Sequence, residues 1–203
     1  ITATTAGNYT VTGGAGNDTL DLGGTATQLD SFDGGDGTDT LILNNTSVTA
    51  INALSVSNIN TFNAGLVGVE RLDFGSTLAQ AVDLGRFDNI SDIIIGGGNA
   101  GNTATAISGL SATNNVEIQA TAAQNISFAL ATATGTADVL NINLDSNAAI
   151  DLTSAAAQVT AANIETINIV GDDKTATNAS DTNLMQLIAT KATTINVSGH
   201  DGL

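Results

Sequence analysis

Residues 13–21 read GGAGNDTLD, and residues 34–42 repeat the phrase as GGDGTDTLI. Both fit the nonapeptide G-G-x-G-x-D-x-U-x, in which U is apolar, that winds a parallel β-roll around Ca²⁺. Glycine reaches backbone angles that other residues avoid, so its carbonyl oxygen can be turned towards a cation, and the aspartate adds negative charge. Calcium takes about six to eight oxygen ligands, more than one such loop supplies, so we predict that the two loops stack and share a metal.

The spacing of the two motifs sets the expected length of one turn of the roll. Asp18 and Asp39 lie 21 residues apart, whereas facing loops of a regular nine-residue roll are separated by about eighteen. We therefore interpret residues 23–28 (GGTATQ) as a degenerate turn with about three extra residues. Leu20 and Leu41 are expected to point into the roll and to begin short strands. The alternative is that both glycine-aspartate clusters are only turns, but two matches in register favour calcium.

The charge of the chain is strongly negative, −16 from 20 acidic and 4 basic residues. Seventeen of the acids are Asp and three are Glu, a split that suits short ligands in turns better than helix faces. Bound calcium would offset repulsion among the aspartates of residues 18–39, so metal binding and folding should be coupled there. For the downstream aspartates, solubility alone is the preferred explanation. Four basic residues cannot neutralise many phosphates, which disfavours nucleic acid as a partner.

The rest of the composition favours a narrow β-structure. The chain has no cysteine, so disulfides and thiol chemistry are excluded. Hydrophobic residues make up 42% of the chain but aromatic residues only 3%, which favours a solenoid or thin sandwich filled by small aliphatic side chains. No apolar run approaches the ~18 residues of a membrane span. Because the chain starts with Ile1 and shows no signal sequence, we expect a piece of a longer protein whose targeting signal lies outside it.

Alternating apolar residues predict strands along most of the chain. The predicted strands lie at residues 69–74, 93–95, 116–118, 126–130, 139–144, 150–152, 165–170 and 194–197. Helix candidates are residues 78–82, 154–159 and 181–188, and we expect no more than a few short turns of helix. The three glutamates Glu70, Glu117 and Glu165 recur in similar phrases 47 and 48 residues apart. This spacing is a weak sign of a repeat in a stacked architecture.

Beyond the nonapeptides, three phrases carry a family resemblance: TGTADVLNI at residues 134–142, IETINI at residues 164–169 and TINVSG at residues 194–199. Together with the nonapeptides and the acidic, cysteine-free composition, they resemble the RTX proteins exported by type I secretion. Within that group the chain is similar to the surface-layer (S-layer) proteins of Gram-negative bacteria. The resemblance extends across most of the chain, although only the nonapeptides are specific.

The resemblance implies a secreted β-rich protein that folds when it meets calcium outside the cell and then tiles the cell surface as a two-dimensional lattice. It assigns carboxylate ligands to Asp18 and Asp39. It assigns further ligands to the surrounding loop residues Gly13, Gly14, Ala15, Gly16, Gly34, Gly35, Asp36 and Gly37, through carbonyl oxygens. Family β-rolls often hold longer arrays of the motif, whereas this chain holds only two intact copies. We therefore expect one shared calcium site, alone or with one or two incomplete ones.

The predicted fold is all-β: a parallel β-roll or β-solenoid with RTX nonapeptide calcium loops that continues into a β-rich solenoid-like body. Residues 1–44 form the RTX-type calcium-binding segment, and residues 45–203 form the body packed continuously on it. The predicted partners are calcium ions and further copies of the chain, with cell-surface polysaccharide reached through regions outside it. Nucleic acid and a membrane span are not expected.

We do not predict an enzyme. The lone His200 lies in a terminal glycine-rich turn, no G-x-S-x-G elbow is present, and the chain lacks the tryptophans that stack on sugars. Paired carboxylates could hydrolyse glycosides, but the aspartates cluster in loops of the metal-binding type. Two alternatives to a lattice module stay open. One is an RTX adhesin that binds glycans, cells or ice, and the other is the calcium-binding tail of a secreted hydrolase.

Overall fold

The computed structural model describes residues 1–75, 78–96, 105–122, 124–154, 157–173 and 181–203. Within these residues the strands are β1 (Thr10–Ala15), β2 (Thr19–Leu22), β3 (Ser31–Asp36), β4 (Thr40–Leu43), β5 (Leu66–Val67), β6 (Arg71–Asp73), β7 (Val82–Asp83), β8 (Asp92–Ile95), β9 (Thr105–Leu110), β10 (Asn115–Ile118), β11 (Ile126–Leu130), β12 (Val139–Ser146), β13 (Asp151–Leu152), β14 (Val159–Ala161), β15 (Thr166–Asp173), β16 (Leu184–Met185), β17 (Leu187–Ile188) and β18 (Thr194–Gly199). The helices are α1 (Asn45–Asn52), α2 (Val56–Ala64) and a 3-10 turn at Leu84–Arg86.

The strands pair in parallel throughout the described residues. The largest sheet has eight strands in the order β18-β15-β12-β10-β8-β6-β4-β2, and a second has five in the order β17-β14-β11-β9-β7. Smaller sheets are formed by β1, β3 and β5 and by β13 and β16. Successive strands of each sheet are separated in the sequence by strands of another sheet. The chain therefore winds from sheet to sheet, and each full circuit, which we call a rung, adds one strand to the large sheet. The strand-rich structure with long parallel sheets is compatible with the predicted all-β solenoid.

The core is a ladder of apolar side chains that repeats from rung to rung. In the eight-stranded sheet, register partners share one inward position: Leu20, Leu41, Leu72, Ile93, Val116, Ile142 and Ile169. All of them are buried, because alternate residues of a strand point to the same face of the sheet. The predicted inward positions of Leu20 and Leu41 at the starts of β2 and β4 are confirmed.

All eight predicted strands are present, with ends that shift by up to a few residues. The predicted strand at 126–130 coincides with β11, while the one at 69–74 shortens to β6 and the one at 165–170 extends in β15. Most of these segments alternate apolar and polar residues, and the inward apolar side chains are buried except in β18, where Ile195 and Val197 are exposed. The local pattern was therefore sufficient to find them.

The helix predictions were wrong in their positions. The structure places α1 and α2, of eight and nine residues, in a segment where the sequence predicts no helix. Side-chain caps begin both helices, since Asn44 accepts the backbone N–H of Ser47 at 2.8 Å and Ser55 accepts that of Asn58 at 3.3 Å. In the described part of the chain, no helix has the length and apolar character that crossing a membrane requires.

The helix predicted at 181–188 is replaced by β16 and β17. Its backbone forms hydrogen bonds with the preceding rung: the N–H of Leu184 donates to the carbonyl oxygen of Ile150 at 2.8 Å, and the N–H of Gln186 donates to that of Leu152 at 3.0 Å. Residues 78–82 are likewise not helical and lead into β7. Of the candidate at 154–159, residues 155–156 lie outside the described part, and Val159 begins β14.

The proposed glutamate repeat does not follow the rungs. Glu117 lies within β10 and pairs in register with Ile94, whereas Glu70 and Glu165 directly precede β6 and β15. Rungs differ in length, so a constant spacing in sequence falls out of register with the structure. Glu70 and Glu165 nevertheless make the same type of contact, because each side chain accepts a backbone N–H from the preceding rung.

Candidate metal centre

The two nonapeptides occupy equivalent turns of consecutive rungs. The first joins β1 to β2 and the second joins β3 to β4. Parallel pairing places Gly14 opposite Gly35 on one side of the turn and Thr19 opposite Thr40 on the other. Both pairs are 21 residues apart, so the extra residues predicted at 23–28 leave the loops aligned. The two motifs are stacked in register.

Glycine is required in these loops both by backbone angle and by space. Gly14 and Gly16 have φ of 119° and 106°, and Gly35 and Gly37 have φ of 94° and 147°, a region that other residues rarely adopt. A Cβ at Gly35 would also collide with the carbonyl oxygen of Gly14, and one at Gly37 with that of Gly16. The glycines therefore let the backbones of the two loops approach closely.

The aspartate of the second loop is held against the first. The backbone N–H of Asp18 donates to Oδ1 of Asp39 at 2.7 Å, and Asp39 is completely buried. Its other carboxylate oxygen, Oδ2, is buried and has no hydrogen-bond partner. A buried carboxylate oxygen without a partner is costly unless a cation or a proton compensates it. A bound cation would therefore stabilise Asp39.

Oxygen atoms from both loops converge beside the Cα of Gly13. A Cβ built on Gly13 would lie 2.5 Å from Oδ2 of Asp18 and 2.6 Å from the carbonyl oxygen of Gly34. We call this space the first cradle. A carboxylate of one loop and a carbonyl of the next are the hard oxygen donors that calcium prefers.

The remaining predicted ligands, Gly14, Ala15, Gly16, Gly35, Asp36 and Gly37, lie in the stacked loops and are exposed. The side chains of Ala15 and Asp36 are exposed, and these two residues face each other across β1 and β3. The carbonyl oxygen of Asp36 already accepts the backbone N–H of Gly16 at 2.7 Å. Residues 13–18 and 34–39 are thus brought together, and the carbonyl oxygen of Asp36 already accepts one hydrogen bond.

Two residues that sequence reasoning missed lie in the next rung. Oε2 of Glu70 accepts the backbone N–H of Asp39 at 2.9 Å, the same contact that Asp39 makes with Asp18. Gly68 has φ of 58° and stacks on Gly35, whose carbonyl oxygen would lie 2.9 Å from a Cβ there. The segment GVERLD at 68–73 matches the second half of the nonapeptide with Glu in place of Asp, and this was the available signal.

Several other acidic residues have partners outside the stacked loops. Asp30 is buried and accepts the backbone N–H groups of Tyr9 at 2.9 Å and Thr27 at 2.6 Å, so it fixes a turn. Among the downstream aspartates, Asp92 accepts from Ser91 Oγ at 2.6 Å, and Asp172 lies 3.4 Å from the exposed His200. Across the described ranges, no group of three or more His, Cys, Asp or Glu side chains could hold a metal. A site in the loops therefore depends on backbone carbonyls.

Comparison with known proteins adds no relative, because no protein-family model matches the chain and no similar sequence is found among curated proteins. The argument for function accordingly starts from the stacked loops and the chemistry of their oxygens.

Proposed function

We propose that the chain is a calcium-stabilised structural module of a secreted surface protein of the RTX surface-layer type. The observation that carries the proposal is the in-register stacking of the two nonapeptide loops, with Asp39 against the backbone of Asp18 at 2.7 Å. The residues fit Ca²⁺, since the first cradle combines a carboxylate with a carbonyl from the next loop. Water would complete a shell of this kind.

In this proposal calcium acts as a folding ligand. The first two rungs carry Asp18, Asp21, Asp33, Asp36 and Asp39 within a short span, and their mutual repulsion opposes stacking of the loops. A bound divalent cation offsets that repulsion and compensates the buried carboxylate of Asp39. Because these oxygens come together only in the folded rungs, the binding energy of the ion stabilises the fold.

The proposed role of the folded module is self-assembly into a two-dimensional lattice at the cell surface. The support is electrostatic: a net charge of −16 with only 4 basic residues leaves few direct salt bridges available between copies. Calcium ions bridging carboxylates of neighbouring copies are the complementary partner for such a surface. Assembly should therefore require more calcium than folding does.

Light scattering of the purified chain during a calcium titration tests the lattice role. We expect the average mass to rise with calcium after the folding signal has saturated, and to fall again when a chelator is added. The control is Asp88→Asn, which removes one exposed carboxylate outside the loops and should leave folding unchanged. Assembly that proceeds equally in strong chelator would overturn the proposed calcium bridging.

A further inference from the structure

The outer face of the large sheet carries one polar column across five neighbouring strands, β8, β10, β12, β15 and β18. Its members, which pair in register, are Asp92, Asn115, Asn141, Asn168 and Asn196. The residue that follows each of the first four is buried in the core ladder, so the column points away from the core. Because neighbouring strands lie about 4.8 Å apart, the column places one polar side chain at each such interval.

The amides of this column are only partly used within the protein. Asn196 donates to Asn168 at 2.8 Å, and Asn168 donates to Asn141 at 2.8 Å. An asparagine amide has two N–H donors and a carbonyl oxygen with two lone pairs. Asn168 spends one donor and one lone pair on these two bonds. Among the described residues it therefore keeps one of each for a group outside the sheet.

A cavity of about 320 Å³ lies over this column, a volume within the about 300–1,000 Å³ that is usual for ligand sites. Its polar lining consists of Asp92, Asn115, Glu117, Asn141, Asn143 and Asn168. We call this cavity the amide groove. A neighbouring cavity of about 390 Å³ shares Glu117 and continues to Thr40 and Thr19. The depression therefore follows the outer face across several rungs.

Asn143 supplies a second, independent observation. Its side chain lines the amide groove, yet its Oδ1 atom is buried and has no hydrogen-bond partner in the described part of the chain. A buried acceptor without a partner is costly. The χ2 torsion of asparagine is soft, so a small rotation presents this oxygen to a donor in the groove. A ligand that carries donors would remove the deficit.

Hydroxyl groups fit the unused capacity of the amides. A hydroxyl is both a donor and an acceptor, which matches one N–H and one lone pair on the same amide. An extended β-1,4-linked hexose chain presents hydroxyls on every sugar and advances per sugar by a distance close to the strand spacing. The half-buried Val170 also lines the groove and offers an apolar surface to the C–H groups of a sugar ring.

The charge of the groove decides which chains fit. Asp92 and Glu117 are acidic, and the guanidinium of Arg71 pairs with Glu117 at 3.2 Å. None of the described residues that line the groove is cationic. An anionic chain would meet carboxylates with no cation to compensate them, and the same face of a second copy would add further acids. A neutral chain avoids both penalties.

We propose that the amide groove binds a linear, neutral hexose chain that crosses the strands of the large sheet. Successive sugars lie over successive rungs, with hydroxyls bonded to Asn141, Asn143 and Asn168. No aromatic ring is among the described lining residues, so affinity comes from repeated hydrogen bonds and should rise with chain length. The proposal uses none of the oxygens of the nonapeptide loops, and it therefore stands apart from calcium binding.

NMR titration of the ¹⁵N-labelled full chain at saturating calcium tests the proposal, with cellohexaose and mannohexaose as probes. We expect at least one of them to cause saturable shifts in the side-chain amide signals of Asn141, Asn143 and Asn168, and to bind more tightly than its trisaccharide. Asn143→Ala should weaken binding about 2- to 10-fold, the worth of one hydrogen bond. It should not lower the thermal midpoint, because the oxygen that it removes has no partner in the protein.

Two further variants keep the test sharp. Asn115→Ala changes an exposed residue of the lining and should weaken binding to a similar extent, even if Asn143→Ala folds poorly. Asn60→Ala, at an exposed position of α2, is the matched control and should bind as the wild type does. Circular dichroism of each variant checks the fold.

Charged oligomers separate a glycan site from a general acidic patch. A hexamer of galacturonate should not bind. Hexalysine that shifts the groove signals, when neither neutral hexaose does, would overturn the proposal and identify a surface that merely attracts cations. Shifts that Asn115→Ala and Asn143→Ala both leave unchanged would also overturn it. Neither result bears on the proposed calcium-stabilised module, whose failure would appear as indifference of the fold to calcium.

Discussion

The carboxylate of Asp39 accepts the backbone N–H of Asp18 at 2.7 Å, one rung away in the solenoid. The contact recurs outside the nonapeptides, since Glu165 accepts the backbone N–H of Asp138 at 3.1 Å. An acidic side chain that ties one rung to the previous one is therefore a general device of this fold. In the stacked nonapeptides, Oδ2 of Asp18 and the carbonyl oxygen of Gly34 also converge beside Gly13, and this convergence carries the argument for metal.

The carbonyl oxygen of Gly34 belongs to the first cradle, and a Cβ built on Gly34 would collide with Oδ2 of Asp39 and with the carbonyl oxygen of Gly68. Gly34→Ala should therefore destabilise the chain by about 1–3 kcal/mol, the usual cost of overpacking, and should weaken calcium binding. Thermal unfolding and calcium titration measure the two effects. Gly7→Ala is the control, because a Cβ there meets Tyr9 at an ordinary 3.5 Å. Equal behaviour of the two variants would contradict the crowding around Gly34.

At Gly14 the effect of backbone strain on stability can be measured without a steric clash. A Cβ at this position meets nothing within 4 Å, but φ is 119°. Gly14→Ala should cost about 1–2 kcal/mol through backbone strain alone. Chemical denaturation at saturating calcium gives the free energy of unfolding of the variant and of the wild type. A variant as stable as the wild type would show that the loop does not need this backbone conformation.

Ser47 on α1 fastens the first helix to the turn between the first two rungs. Its buried hydroxyl lies 2.8 Å from the carbonyl oxygen of Gly24 and accepts the backbone N–H of Ala26 at 3.2 Å. Ser47→Ala leaves these buried groups without that partner and should cost about 1–3 kcal/mol. Ser57→Ala, at an exposed position of α2, is the matched control and should be close to neutral in the same denaturation experiment. A neutral Ser47→Ala would mean that water replaces the hydroxyl.

The outer face of the large sheet carries a ladder of asparagines. Asn196 donates to Asn168 at 2.8 Å, and Asn168 donates to Asn141 at 2.8 Å. Asn168→Ala removes both bonds and should lower the free energy of unfolding by about 1–2 kcal/mol. Because these residues lie far along the rungs from the loops, the loss should not depend on calcium. A loss that appears only in calcium would imply coupling between the ladder and the metal sites.

The sequence predicts the fold best where the chemistry is local. Glycines that need positive φ and a following aspartate define the stacked loops, and alternating apolar residues such as those of β12 define the strands. The positions of α1 and α2 could not be inferred, because segments rich in Asn, Thr and Ser have weak helix propensity and depend on caps and on burial of Ile51 and Phe62 against the core.

Parts of the site depend on long-range stacking and could not be predicted. Glu70 is a glutamate where the motif has aspartate, and residues 45–64 separate its rung from the second loop. No fixed spacing in the sequence therefore indicates the contact between Glu70 and that loop.

At residues 181–188 the sequence predicts a helix that the structure does not contain. Their pattern favours a helix in isolation, but the edges of β13 and β14 offer parallel hydrogen bonds that an isolated segment cannot have.

The most direct test of the central claim is a calcium titration of the metal-stripped chain followed by circular dichroism, with the thermal midpoint recorded at each concentration. We expect the β-signal and the midpoint to rise together with calcium, since an ion that binds only the folded rungs stabilises them. Asp39→Asn should abolish most of the rise, while Asp88→Asn should retain it. A wild-type chain with the same spectrum and the same midpoint in calcium and in chelator would contradict the account, and the nonapeptides would then be glycine-rich turns without a metal.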